Sequence, residues 1–181
     1  AAGKVIPDFT GGFTNTFRYK NFELSGLFTF SVGAQIYDSS SKRQMGLASD
    51  WNFRTDIFDR WRKPGDIAKY PRMSTQGSTY GKDGEQWFNS TMWLFNGDYL
   101  RLKNLTLTYN IPPRILENYG ISTARIFVSG TNLLTFTKYP GADPEVARDH
   151  DDPRDRNMSA NVSFLTPPQE RIMTFGLNVS F

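Results

Sequence analysis

Met173-Thr174-Phe175-Gly176-Leu177-Asn178-Val179-Ser180-Phe181 carries an apolar side chain at every second position and stops on a phenylalanine. Alternate side chains of a strand share a face, so Met173, Phe175, Leu177, Val179 and Phe181 predict one apolar stripe. Thr174, Gly176, Asn178 and Ser180 lie opposite. One face suits hydrocarbon and the other suits water.

A buried strand of a soluble β-sandwich shows the same alternation but seldom ends a chain on an aromatic residue. That ending is typical of outer-membrane β-barrels, where the last strand must close the barrel. Composition agrees with strands: in 181 residues there are 15 Phe, 8 Tyr and 4 Trp, with 15 Gly and 10 Pro to make turns. Such a balance favours an all-β chain over a helical one.

The formal charge of +3 arises from 21 basic and 18 acidic residues that are mostly interspersed. No concentrated basic patch of the kind nucleic-acid binding needs is present. The chain has no Cys, hence no disulfide framework, thiol nucleophile or Cys-based metal site. Mean hydropathy is −0.50, and no apolar run approaches the roughly 20 residues of a spanning helix. Strands of a membrane barrel need only about 9–11 alternating residues, so a barrel stays open. The chain begins Ala1-Ala2-Gly3-Lys4, without a start Met or signal peptide, and reads as a mature or truncated piece.

Period-2 patterning predicts five crossings, at residues 9–19, 22–37, 99–110, 124–136 and 170–181. The first sets Phe9, Phe13, Phe17 and Tyr19 against Thr10, Thr14, Thr16 and Arg18; Lys20-Asn21 then makes a tight hairpin turn to the second. Pro112 and Pro113 end the third, and Gly120 closes a short helical turn before the fourth, whose alternation is blurred. The long connections, residues 38–88 and 138–169, fall on one side of such a sheet; the short ones, 20–21 and 111–123, fall on the other. Outer-membrane barrels have short periplasmic turns and long extracellular loops, which makes the long connections extracellular. Five crossings cannot close a barrel, whose smallest members have about eight strands. More chain is therefore expected.

Tyr99-Leu100-Arg101-Leu102-Lys103-Asn104-Leu105-Thr106-Leu107, then Tyr109, Pro112, Gly120-Ile121, Arg125, Gly130-Thr131-Asn132-Leu133-Leu134-Thr135-Phe136-Thr137 and Asp143-Pro144-Glu145, resembles the C-terminal region of the SusC/RagA family of TonB-dependent outer-membrane transporters. Pro7-Asp8-Phe9, Gly11-Gly12-Phe13, Tyr19 to Ser25, Arg60-Trp61 and Pro71-Arg72 extend the match over almost the whole chain. The resemblance implies a Bacteroidota transporter with a large plugged barrel, importing glycans or peptides with energy from TonB and a SusD-like surface lipoprotein as lid. It implies that the N-terminal plug and TonB box are absent from these residues. It also makes Met173, Phe175, Leu177, Val179 and Phe181 the closing strand and the insertion signal for barrel assembly, with the rest of the barrel, the plug and outer-membrane lipid as neighbours.

Trp51, Trp61, Trp87 and Trp93 are candidates to stack on sugar rings, and Arg60, Arg62 and Arg72 to pair with acidic groups of substrate or lid. Arg60-Trp61 and Pro71-Arg72 match family pattern positions, which favours a shared loop fold over a substrate-specific site. No enzyme is expected: His150 is the single histidine, and no recognisable motif places a Ser or acid with it. The cluster Asp149, His150, Asp151, Asp152 and Asp155 lacks EF-hand spacing and is offset by Arg148, Arg154 and Arg156, so no metal or other cofactor is expected. Asp143-Pro144-Glu145 reads as loop-shaping. The remaining alternative is a soluble β-sandwich carbohydrate-binding module, which would turn the apolar stripes inward.

Overall fold

The computed structural model describes residues 3–46, 52–72, 90–145 and 161–181. Five strands, β1 (Phe9–Tyr19), β2 (Phe22–Val32), β5 (Tyr99–Asn110), β6 (Thr123–Thr137) and β8 (Ile172–Ser180), form one antiparallel sheet in the order β1-β2-β5-β6-β8. With residues 6–8, 33–34, 97–98 and the short connections, they make one unit. Each strand is rich in Phe, Leu, Thr and Ser and free of Pro, so it can offer both edges to a ladder.

Local chemistry sets the strand ends. Lys20, at φ 52°, supplies the left-handed residue that tight hairpin turns require. Pro112 stands at the N-cap of α2 (Pro113–Leu116), and Gly120, at φ 66°, closes the 3-10 turn Glu117–Tyr119 that follows. The Ile111 N–H donates to Ala124 O at 2.9 Å and the Ser122 N–H to Ser180 O at 2.8 Å. The connection is thereby tied to the strands beside it.

The second crossing departs from the expected 22–37. It stops at Val32 because Gly33 turns the chain at φ 92°, with the Gly33 N–H held by the Asp98 carboxylate at 2.6 Å. Residues beyond it form β3 (Gln35–Asp38), which belongs to a different sheet, β4-β3-β7, with β4 (Leu94–Asn96) and β7 (Val162–Ser163).

That second sheet belongs to the other unit, made from the described residues of 1–5, 35–96 and 139–167. It contains α1 (Ser39–Gly46) and the 3-10 turns Thr55–Asp59 and Thr91–Trp93. Met45, Ile57, Tyr70 and Trp93 form its core, with Tyr37 and Met92 packed against them. Asp38, 2% exposed, starts α1: its carboxylate accepts from the Ser41 N–H at 2.9 Å and the Ser41 hydroxyl at 2.5 Å. Arg54 Nη1 donates to the same Ser41 Oγ. The described part of the long connection after β2 thus belongs to a folded body with a buried polar brace.

Candidate functional site: a strand wall with two faces

Register across the five-stranded sheet sorts its side chains into two chemistries. On one face, Tyr19, Phe22, Tyr109, Ile126 and Leu177 stand in a single row across all five strands. The next row is Phe17, Leu24, Leu107, Val128 and Phe175. Phe13 stacks on Phe28 with centroids 5.0 Å apart, and Phe22 lies 4.8 Å from Tyr109. Aromatic pairs across strands are among the contacts that stabilise a sheet most.

This face is bare. Phe17 is 68% exposed, Tyr19 71%, Phe175 77% and Leu177 62%. Moving such a side chain from water into an apolar phase is worth about 1.5–3 kcal/mol. A sandwich would have covered these rows with a second sheet, and among the described residues nothing does; the face demands an apolar solvent.

The opposite face is polar. Thr16, Ser25, Thr106, Ser129 and Thr174 form one row of hydroxyls across the five strands. Thr106 Oγ1 donates to Asn104 Oδ1 at 2.9 Å, and Asn104 Nδ2 donates to Ser129 Oγ at 3.2 Å. Arg18 Nε pairs with Glu23 at 2.8 Å. Arg101 also lies on this face, opposite Thr29 and Thr135, 1% exposed and 5.9 Å from the Tyr99 ring centroid.

A register shift lets β5 serve both faces. Pairing passes over Lys103, between Leu102 and Asn104, so the apolar positions change from Leu105, Leu107 and Tyr109 to Leu100 and Leu102. Arg101 reaches the polar face through that shift. In β6 the blurred alternation has two sources: Asn132 is left-handed at φ 53°, and Phe127 sits on the polar face. An ideal Cβ on Gly176 would come 2.3 Å from the Phe127 ring, so the aromatic lies on bare glycine backbone.

Of the residues expected to close a barrel, Met173, Phe175, Leu177 and Val179 share the apolar face of β8, and Phe181 follows the strand, 88% exposed. Among the described residues β8 pairs only with β6, and β1 only with β2. Trp51 and Trp87 lie outside the described residues, as does the cluster from Asp149 to Asp155. The described residues contain no group of three potential metal-binding side chains.

The remaining loop candidates occupy two kinds of place. Trp93 is 2% exposed in the core with Tyr70, which removes it as a stacking platform. Arg60 Nη1 donates to Ile57 O at 3.0 Å and Arg62 Nη2 to Phe58 O at 3.2 Å. The Trp61 N–H donates to Tyr70 O at 2.8 Å, while Asp66 accepts from the N–H groups of Arg62 and Lys63, each at 3.0 Å. Residues 60–70 are thus a braced loop in which Trp61 is half-buried and Arg62 exposed. Asp143 accepts from the Glu145 N–H at 2.8 Å, which makes Asp143-Pro144-Glu145 a turn. Sequence reasoning missed Tyr139, 5% exposed; burial, with the Asp38 charge adding to it, pushes its phenol up against the opposing effects of a Ser163 hydrogen bond and Arg54.

A sheet with one face for lipid, one for water and open outer edges defines a piece of a transmembrane β-barrel wall. Known proteins share this stretch. Over 99% of its residues the chain is 35% identical to TonB-dependent receptor P3 of Formosa agariphila, of which it covers 17%. It is 25% identical to TonB-dependent receptor SusC of Bacteroides thetaiotaomicron, covering 15% of that protein. The solved RagAB peptide transporter superposes with a TM-score of 0.74 at 27% identity over 98% of the chain and 18% of its own. No family model matches. Over nearly its whole length the chain thus resembles the C-terminal barrel region of SusC/RagA-type TonB-dependent receptors, of which it spans less than a fifth, and its sheet is that of a stretch of outer-membrane β-barrel.

Proposed function

We propose that this chain supplies part of the barrel wall of an outer-membrane importer of glycans or peptides that is driven through TonB and closed by a SusD-like lipoprotein. The carrying observation is the pair of continuous cross-strand rows, apolar on one face and hydroxyl on the other. The apolar rows meet lipid and the hydroxyl row faces the lumen. In hydrocarbon every backbone group must be paired within the protein, so the free edges of β1 and β8 join further strands of the same barrel. Phe181 then stands at that seam.

Similarity to a peptide transporter supports import and supports peptides as one cargo class; glycans rest on the sequence resemblance alone. The connections following β2 and β6 leave the sheet at one end, and we assign that end to the cell exterior. Trp61 and Arg62, on the braced loop 60–70, are then placed where lid or cargo contacts are made.

Sidedness is tested in intact cells expressing the full-length receptor, with single cysteines labelled by a membrane-impermeant maleimide. Lys63→Cys is expected to label and Asn21→Cys to remain unlabelled until the cells are lysed. Labelling of Asn21→Cys in intact cells, with Lys63→Cys protected, would invert the assignment.

A further inference from the structure

The apolar face of the sheet is hollowed near the end that carries the short connections. There β6 presents Ile126 and Val128, both branched at Cβ, between longer side chains on its neighbours: Leu107 and Tyr109 on β5, Phe175 and Leu177 on β8. The short pair makes the floor and the long pairs make the walls of a depression of about 570 Å³. Phe22 extends one wall, its ring 4.8 Å from that of Tyr109. Among the lining residues the Tyr109 hydroxyl is the one polar side-chain group. Toward the other end of the sheet the floor rises, because Leu133 covers Gly130: an ideal Cβ on that glycine would come 2.7 Å from the Leu133 side chain. Charges gather at the short-connection end. Arg114 and Glu117 are exposed, three residues apart, on the link from β5 to β6, and Lys20 Nζ lies 5.3 Å from the Tyr19 ring centroid.

We infer that this hollow seats one acyl chain of a single phospholipid of the periplasmic leaflet, whose headgroup meets Arg114 and Glu117. The inference rests on the reading of the sheet as barrel wall with its short connections in the periplasm. Three features select that occupant. The lining is continuous with the exposed apolar rows, so the hollow opens to hydrocarbon and takes an apolar guest. Barrel strands tilt by about 35–45°, so a chain lying along the bilayer normal crosses the two rows obliquely and touches floor and walls together. One cation and one anion at the mouth match, in reverse, the phosphate and ammonium of a zwitterionic headgroup. The branched floor and the paired aromatics of the wall hold their shape before the chain arrives, which lowers the cost of ordering it compared with a flat wall. This lipid is therefore retained where its neighbours in the annulus exchange.

The full-length receptor is reconstituted in vesicles of phosphatidylcholine and phosphatidylethanolamine that contain a trace of phosphatidylethanolamine with a photoreactive diazirine at mid-chain. Heat-modifiable migration and slow amide exchange across β2, β5 and β6 test the wall alone, and their absence counts against the wall rather than the hollow. In the wild type, photolabelling of peptides holding residues 105–109, 126–128 and 175–177 is expected to exceed that of the other lipid-facing segments by about tenfold. Val128→Phe, which fills the hollow and keeps the face apolar, should remove the excess; Leu100→Phe, farther along the same face, should leave it. Arg114→Gln should reduce it by up to about fivefold. Labelling spread evenly over the lipid-facing strands of the wild type, with the wall intact, would overturn the inference. So would an excess that survives Val128→Phe or Arg114→Gln undiminished in the folded receptor, or a disulfide between two receptors carrying Ile126→Cys, which would give the hollow to a second copy.

Discussion

Trp93, Tyr139 and Arg60 show how single side chains in this chain took roles their composition alone did not announce. An aromatic in a loop is a reasonable platform for a sugar, yet Trp93 is packed with Met45, Ile57 and Tyr70. Trp93→Ala is expected to cost about 3–5 kcal/mol in that unit, the range for truncating a large buried aromatic. Limited proteolysis of the full-length receptor checks it: cleavage should rise within residues 35–72 and leave the five strands resistant. Tyr139 gives the pH dependence. Its folded value is raised by burial, so the folded state holds the proton more tightly than the unfolded chain. Its contribution is full below about 10, the ordinary phenol value, and is lost as pH rises through the folded value. Alkaline titration of protease resistance in this unit should therefore fall less steeply in Tyr139→Phe than in the wild type.

At the scale of elements, periodicity carried the reading where a strand meets two different solvents and failed where it does not. β1 and β8 declared themselves because every second residue answers to the same phase, and β5 did so over Leu105, Leu107 and Tyr109, before the shift at Lys103 changes it. β6 was blurred because Phe127 packs on Gly176 across the polar face, a cross-strand relation invisible in one strand's own sequence. The division at Gly33 was hidden for a similar reason: Gln35–Asp38 continue an extended pattern, and only the left-handed φ of one glycine separates the two sheets. The core of Met45, Ile57, Tyr70 and Trp93 has no period, since its members come from different turns and strands. Neighbouring positions on β8 allow a direct comparison of its two faces. Phe175→Arg is expected to destabilise the folded receptor by about 2–4 kcal/mol if it lies near the bilayer midplane, and Thr174→Arg by far less. Urea unfolding of the receptor in lipid vesicles measures both; equal losses would contradict the face assignment.

For the whole molecule, the lesson is that a wall can be recognised without the room it encloses. The barrel was legible because lipid imposes alternation on the crossings and leaves no freedom in pairing, whereas the resemblance to TonB-dependent receptors came from ordered motifs such as Gly130 to Thr137. Cargo and lid left no comparable trace, since loop chemistry is constrained by particular contacts rather than by a common solvent. Of the loop candidates, Arg60 and Arg62 donate to backbone carbonyls, which is a reason for their presence independent of any ligand. The central claim remains that one face of the five-stranded sheet meets lipid and the other water. Nitroxide scanning of β8 from residue 173 to 179 in the full-length receptor, reconstituted in vesicles, tests it most directly. Collision with oxygen should dominate at 173, 175, 177 and 179 and collision with a water-soluble nickel chelate at 174, 176 and 178, with a period of two. Uniform accessibility, or the opposite phase, would contradict it.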